Sequence, residues 1–413
     1  MSVRDICERT KIQANTFAGV PTEVKNKVLL RAKEIMLENE DAIIEANKLD
    51  LIKAEQNGRN AAFIDRLALN PQRITQMAEG LDAIVALPDP VGEVVEEYEL
   101  PNKLYVKRVR APLGVIGIIF EARPNVSIDA AALCIKSGNG VVLRGSRESV
   151  NSVGKLVDCI KLALEENSLS SDLIGLIESQ DREATAEMLR ENKYIDVVIP
   201  RGGEGLKKVV LANATMPVIA SAGGNCHIYV APTADLTMAI PIILNAKTQR
   251  PSTCNALETL LIDRKVSAFV PVVCEALEKA NVTINGTEDI KNLYPNVNLV
   301  GEDEFAREYD DMIIKMKLID GINEAIAHIN KYGTNHSDCI LTSDEDEMEK
   351  FTKEVDSSAV YVNTSTRFTD GFELGLGAEM GISTQKLHVR GPIGLRELTS
   401  VKYVVKGNGQ LRK

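Results

Sequence analysis

The sequence predicts an α/β architecture with two parallel-sheet domains and a small antiparallel element. From residue 114 onward, unbroken apolar runs rich in β-branched residues alternate with helical patterns, as in a parallel sheet covered on both faces. A second alternation of the same kind runs over residues 235–362. Two extended runs, 94–98 and 104–109, flank Leu100, Pro101, Asn102 and Lys103, and such a hairpin has too few core residues to stand alone. It is expected to reach across to another domain or chain.

In chain order, the first 60 residues read as helix. Pro21 and Thr22 supply a start signal, and Val24, Val28, Leu29, Ala32, Ile35 and Met36 recur at helical spacing. A second helical pattern, 41–56, stops at Asn57 and Gly58. After a break near 87–90 come the two extended runs. VIGIIF (115–120) is a continuous apolar strand, followed by a helix over 127–136. GVVLRG (140–145) is the next strand, with a helix over 148–164. Short strands at 174–179 and 194–200 bracket a helix at 182–191. The second stretch predicts helices over 235–246 and 266–280 and strands at 339–343 and 358–363. A glycine-rich segment, 367–381, precedes a strand-like run at 402–405.

Composition narrows the function classes. A length of 413 residues suggests two or three domains, and 44% hydrophobic with 26% charged residues is ordinary for a globular chain. The net charge of −11 argues against non-specific binding to nucleic acid or an anionic membrane. No apolar run approaches the roughly 18 residues of a membrane span. The N-terminus carries Asp5 and Glu8 without an apolar core, so no secretory signal is expected and a cytoplasmic location is. Seven dispersed cysteines form no Cys-x-x-Cys pair and fit a reducing compartment. The four histidines share no ligand spacing with them, so no metal site is expected.

Ligands of open parallel sheets bind beyond the carboxyl ends of the strands. Three such loops stand out: Glu121, Ala122, Arg123, Pro124 and Asn125; Gly145, Ser146, Arg147 and Glu148; and Arg201, Gly202, Gly203, Glu204 and Gly205. Each has an arginine and two have glycine, which together predict an anion or dinucleotide site at one sheet edge. The Gly-x-Gly-x-x-Gly fingerprint of an ordinary Rossmann dehydrogenase is absent. Cys254 is the second feature, with Lys247, Arg250, Ser252, Thr253 and Asn255 around it. A cysteine of ordinary pKa is only about 3% thiolate at pH 7, and neighbouring cations raise that share. Read from its neighbours alone, Cys254 fits a catalytic and a structural role equally well. Cys134 and Cys274 lie inside apolar helical patterns and read as core.

Longer runs then carry a resemblance: PLGVIGIIFEARPNVSIDAAALCIKSGN (112–139), VIPRGGEGL (198–206), QRPSTCNALETLLI (249–262), STRFTDGFELGLGAEMGIST (365–384) and KLHVRGPIGLRELTSVKY (386–403). Over nearly its whole length the chain resembles the aldehyde dehydrogenase superfamily, and within it the family of gamma-glutamyl phosphate reductases. The resemblance implies an aldehyde dehydrogenase-like fold of two Rossmann-like domains and a β arm. Residues 1–92 and 112–226 would form the NADP-binding domain, 227–385 the catalytic domain, and 93–111 with 396–413 the oligomerisation arm. It implies NADPH-dependent reduction of L-glutamate 5-phosphate to L-glutamate 5-semialdehyde with release of phosphate, in proline biosynthesis. It further implies a homo-oligomer, a functional link to a glutamate kinase, and no nucleic-acid, membrane or metal partner. Another acyl-phosphate or acyl-CoA reductase of the superfamily is the alternative.

Position by position, Cys254 matches the family's nucleophile, and Gly202 and Gly203 match the loop facing the cofactor pyrophosphate. Arg144 falls where the superfamily often has a lysine on the cofactor ribose. Arg147 falls where NAD-preferring members carry an acidic residue; an arginine there pairs with a 2′-phosphate, which favours NADP(H). Ser146, Arg201 and Gly223 complete the expected cofactor set. Aldehyde-oxidising members carry a glutamate that activates water, whereas the matching stretch here is Ser221, Ala222, Gly223 and Gly224, without a carboxylate. A thioester at such a site survives long enough to meet phosphate or hydride. Arg123 and Asn125 are candidates for the oxyanion donor or for a contact to the substrate phosphate, and the resemblance leaves both open. Arg250 and Arg367, with Arg123, are candidates for the substrate's anionic groups, and Glu379 for its ammonium.

Overall fold

The structure is a computed structural model and describes residues 1–412 except Gln180 and Ala222. The chain forms two compact units, one from Met1–Ala220, Gly375–Gly381 and Ile393–Lys413, the other from Ser221–Leu374 and Ile382–Pro392.

The first unit opens with helices Val3–Phe17, Thr22–Glu38, Glu40–Gln56, Ala61–Leu67 and Pro71–Ala86. Local chemistry sets several of their starts. Ser2 and Asp5 form a reciprocal capping box, and the Asn60 and Asn70 side chains accept the N–H groups of Phe63 and Arg73. The buried stripe Val28, Leu29, Ala32, Ile35 and Met36 lies on helix Thr22–Glu38, which packs against helices Pro71–Ala86 and Val150–Glu166. Beside these helices lies a four-stranded parallel sheet, ordered Ile174–Leu176, Gly140–Arg144, Val115–Phe120, Val197–Arg201. All six residues of Val115–Phe120 are buried, as its apolar run requires. Winding reverses between this strand and Val197–Arg201, which makes their carboxyl ends the switch point of the sheet.

The two extended runs pair as antiparallel strands, Val94–Glu99 with Tyr105–Pro112, and Thr399–Lys406 adds a third on the other side of Tyr105–Pro112. The tail strand is longer than the 402–405 that the sequence suggested, and Val401, Tyr403 and Val405 on it are exposed.

The second unit is built on a seven-stranded parallel sheet. Its order is Asn298–Leu299, Thr283–Gly286, Ile313–Ile319, Leu257–Asp263, Cys226–Val230, Ser337–Leu341, Ala359–Val362. Alternate residues serve opposite faces. Ile228, Val230, Leu260, Ile262, Met316 and Leu318 pack with helices Leu236–Thr248 and Phe269–Lys279. Tyr229, Leu261, Ile319 and Ile340 pack with helices Ile322–Tyr332 and Glu345–Glu354. Each large apolar side chain buried here contributes about 1.5–3 kcal/mol.

The sequence assigned no strand to Leu257–Asp263 or Ile313–Ile319, yet these are the sheet's third and fourth members from one edge. Glu258, Thr259, Lys315 and Lys317 interrupt their apolar runs, so they do not read as buried strands. The strand expected over 194–200 is confined to Val197–Arg201, because Tyr194 and Ile195 turn back to hydrogen-bond Glu191. No described helix is long and apolar enough to cross a membrane.

Candidate active site

Cys254 lies between helix Leu236–Thr248 and strand Leu257–Asp263, at the carboxyl end of that helix. Among the described residues it is the only thiol that is not buried. Burial pushes the thiols of Cys7, Cys274 and Cys339 up to about 12 and that of Cys159 to about 11, and it raises Cys134 and Cys226 as well. Those six are therefore chemically silent near neutral pH. Cations gather at the seventh. Arg367 is within electrostatic range of both Cys254 and Arg250; burial and Arg250 lower its pKa, against the pull of Asp370 and Cys254.

The backbone around Cys254 is held tightly. The Cys226 thiol donates to the Cys254 carbonyl at 3.1 Å. Gly224 approaches the same carbonyl so closely that a Cβ there would lie 1.3 Å from the oxygen, so only glycine fits. Asn255 is 4% exposed and donates to the carbonyls of Arg367 and Thr369, while the Thr366 hydroxyl donates to the Asn255 carbonyl. Arg367 in turn donates to Gln249 at 2.8 Å and to the Asn255 side chain.

Beneath the loop is a buried ion pair, Lys247 Nζ to Glu258 Oε1 at 2.9 Å, which joins the last turn of the preceding helix to the following strand. The second Glu258 oxygen accepts the Tyr309 N–H at 2.8 Å, and burial raises the Glu258 pKa despite these partners. Lys315 binds the Asn225 side chain and the Arg307 carbonyl, and burial lowers its pKa to about 8. Between Arg307 and Tyr309, Glu308 accepts the Gly224 N–H at 2.5 Å, and a Cβ on Gly223 would lie 2.1 Å from the other Glu308 oxygen. The stretch of Ser221, Gly223 and Gly224 thus has no carboxylate of its own but receives one from 84 residues away. Ala222 lies outside the described residues.

The three strand-end loops of the first unit prove unlike one another. The amino end of helix Val150–Glu166 is filled by Asp50, which is fully buried and accepts the N–H groups of Asn151 and Ser152. The amino end of helix Glu204–Asn213 is met by exposed Glu121, whose Oε2 accepts the Gly203 N–H at 2.9 Å; a Cβ on Gly202 would lie 2.6 Å from that oxygen. Two of the three expected anion positions therefore already hold carboxylates of the chain itself. The loop after Val115–Phe120 contains Ala122 at φ 43°, a left-handed conformation that costs an alanine energy and marks a constrained turn.

Arg123 is exposed in that loop. Asn125 begins helix Asn125–Lys136, and its side chain donates to Asp129 at 3.0 Å. Asp129 lines a small cavity with Arg201, Glu379 and Met380. Burial pushes its carboxyl up to about 6, against the opposing effects of Asn125 and Arg201. Arg201 also lies against Gly381, where a Cβ would sit 2.1 Å from Nη1. Arg144 donates to the carbonyls of Gly145 and Asp181, while Ser146 bonds Ser149 and Arg147 is exposed. Ser146 lines a narrow cleft with Val150, Val153, Leu176, Ile177 and Glu178.

The site residues named from the sequence thus fall into groups: Cys254 with Arg250 and Arg367; Gly223 with Glu308; Gly202 and Gly203 with Glu121; Asn125, Arg201 and Glu379 around Asp129; and Arg144 with Ser146. Sequence reasoning missed Asp129, Asp50, Glu258 and Glu308, and it named Glu121 and Lys247 without seeing the partners they hold. Only Lys247 and Glu258 carried a local signal, as charges set into apolar runs on either side of Cys254.

The model of the aldehyde dehydrogenase family matches residues 1–292. Gamma-glutamyl phosphate reductase of Clostridium kluyveri is 50% identical over 401 residues, covering 97% of this chain and 96% of its own. That of Carboxydothermus hydrogenoformans is 48% identical over 411 residues, covering 99% of each chain. The crystal structure of the Thermotoga maritima gamma-glutamyl phosphate reductase superposes with a TM-score of 0.98 at 44% identity, covering 100% of both chains. This chain belongs to the gamma-glutamyl phosphate reductases of the aldehyde dehydrogenase family. It is an oxidoreductase, and the family uses nicotinamide cofactors.

Proposed function

We propose that the enzyme reduces L-glutamate 5-phosphate to L-glutamate 5-semialdehyde with release of phosphate, using NADPH, as a step of proline biosynthesis. The names of its relatives support the substrate. The observation that carries the chemistry is Cys254, an accessible thiol among cations on a clamped loop, while six others are buried.

The Cys254 thiolate attacks the γ-carbonyl carbon, and the collapsing tetrahedral intermediate expels phosphate to leave a thioester. A reduced nicotinamide cofactor, when bound, supplies the hydride that takes the thioester to the aldehyde level. Collapse of the resulting thiohemiacetal returns the thiolate. Negative charge grows on the carbonyl oxygen at each addition, so donors aimed there lower the barrier. The Cys254 N–H is one such donor, and Arg123 and Asn125 are each a candidate for a further donor or for a contact to the substrate phosphate. Arg250 and Arg367 hold the substrate's anionic groups.

The first unit suits the cofactor. The apolar residues Val150, Val153 and Ile177 beside Ser146 suit a base, with Arg144 and exposed Arg147 for the ribose and its 2′-phosphate. Gly202 and Gly203 suit the pyrophosphate once Glu121 yields the Gly203 N–H, and Arg201 at the end of the preceding strand completes the first unit's set. On this reading residues 1–92 and 112–226 hold the cofactor and 227–385 carry the nucleophile. Residues 93–111 and 396–413 pair copies of the chain in a homo-oligomer, of which Lys413 lies outside the described residues.

The test is iodoacetamide labelling with peptide mapping, alongside Cys254→Ser. One substrate-protected cysteine is expected, and the variant should lose at least about a thousandfold in kcat while binding NADPH normally. Uniform labelling, or a variant that still turns over, refutes the reading. Strict dependence of semialdehyde oxidation on coenzyme A instead of phosphate would assign the enzyme to acyl-CoA substrates.

A further inference from the structure

A γ-acyl phosphate of an α-amino acid differs from its deaminated counterpart by one ammonium group beside the carboxylate. Reading that pair takes a cation and an anion in one place, near the nucleophile and with room for two methylenes. The second unit contains such a place. A cavity of about 230 Å³ is lined by Asn245, Gln249, Arg367, Phe368, Asp370 and Glu373. Arg367 joins it to the nucleophile loop, since its guanidinium bonds both Gln249 and Asn255, the residue after Cys254. Asp370 is held in a tight turn by accepting the N–H groups of Phe372 at 2.9 Å and Glu373 at 3.4 Å. Glu379, the residue that the sequence suggested for the ammonium, shares a different cavity with the Arg201 guanidinium.

We infer that this cavity recognises the amino-acid head of the substrate: Arg367 takes the α-carboxylate, Asp370 and Glu373 take the ammonium, and Phe368 packs on the methylenes. The inference rests on Cys254 being the acyl-carrying nucleophile. It makes the acidic pair a specificity device. Removing either charge should spare the chemistry and erase the preference for an amino group.

The experiment measures NADP- and phosphate-dependent oxidation of glutamate 5-semialdehyde and of 5-oxopentanoate, the same chain without the amino group. It compares wild type, Asp370→Asn and Glu373→Gln. The ratio of the two kcat/KM values should fall about ten- to a hundredfold in the variants, through a higher KM for the amino aldehyde, with kcat little changed. Glu373 is exposed, so Glu373→Gln remains informative if Asp370→Asn disturbs its turn. An unchanged ratio in Glu373→Gln overturns the inference whether or not Asp370→Asn folds, as does an equal loss on both aldehydes. A wild type that oxidises neither aldehyde fails the proposed function instead.

Discussion

The nucleophile loop of the second unit and the ligand loops of the first are held by different kinds of contact. Around Cys254 the fixing groups are buried: the Lys247–Glu258 pair, the Asn255 side chain and the close approach of Gly224. At the first unit's switch point the Gly203 N–H is held by an exposed carboxylate, Glu121, in contact with water. Covalent catalysis needs one sulfur in one place, and burial supplies that rigidity. A cofactor that comes and goes needs amide groups that can change partner, and a solvated carboxylate is held there weakly enough to leave.

The contrast breaks most visibly at the buried pair. Lys247→Met leaves buried Glu258 without its ion-pair partner and should cost about 3–5 kcal/mol in chemical denaturation; Lys247→Met with Glu258→Leu should recover much of it. A single variant as stable as wild type would show that the pair does not clamp the loop.

A smaller effect belongs to Asp129. Its carboxyl is raised to about 6, so between the unfolded value near 4 and 6 the folded chain binds more protons than the unfolded one. Its contribution therefore makes stability fall as pH rises through that window, by at most about 3 kcal/mol. Asp129→Asn should flatten the profile between pH 4 and 6 and gain stability relative to wild type above pH 6. A profile identical to wild type would mean that Asp129 titrates normally.

The smallest effect is at Glu121. Glu121→Gln removes a negative charge from the amino end that is to receive the pyrophosphate, and should lower the Kd for NADPH by about two- to fivefold. Weaker binding would mean that Glu121 orders the loop for the cofactor instead of competing with it.

How much of this was legible differs by region. The sheet of the first unit could be read strand by strand, because VIGIIF and GVVL are apolar throughout and helical periods separate them. The centre of the second sheet could not, because Glu258 and Lys315 look like surface residues until their partners at 247 and 225 are known. At the site, the cationic neighbours of Cys254 were visible locally. Glu308 was not, since nothing near Gly224 in the chain announces a carboxylate arriving from position 308.

The sequence by itself determined the alternation of strands and helices, the family likeness and the one cysteine set among cations, because periodicity and short-range composition are properties of neighbouring residues. Only the tertiary structure decided which helix ends already hold a carboxylate, which charges are paired in the core, and that Arg367, Asp370 and Glu373 line one cavity. Those depend on strand order and side-chain direction, which bring together groups far apart in the chain.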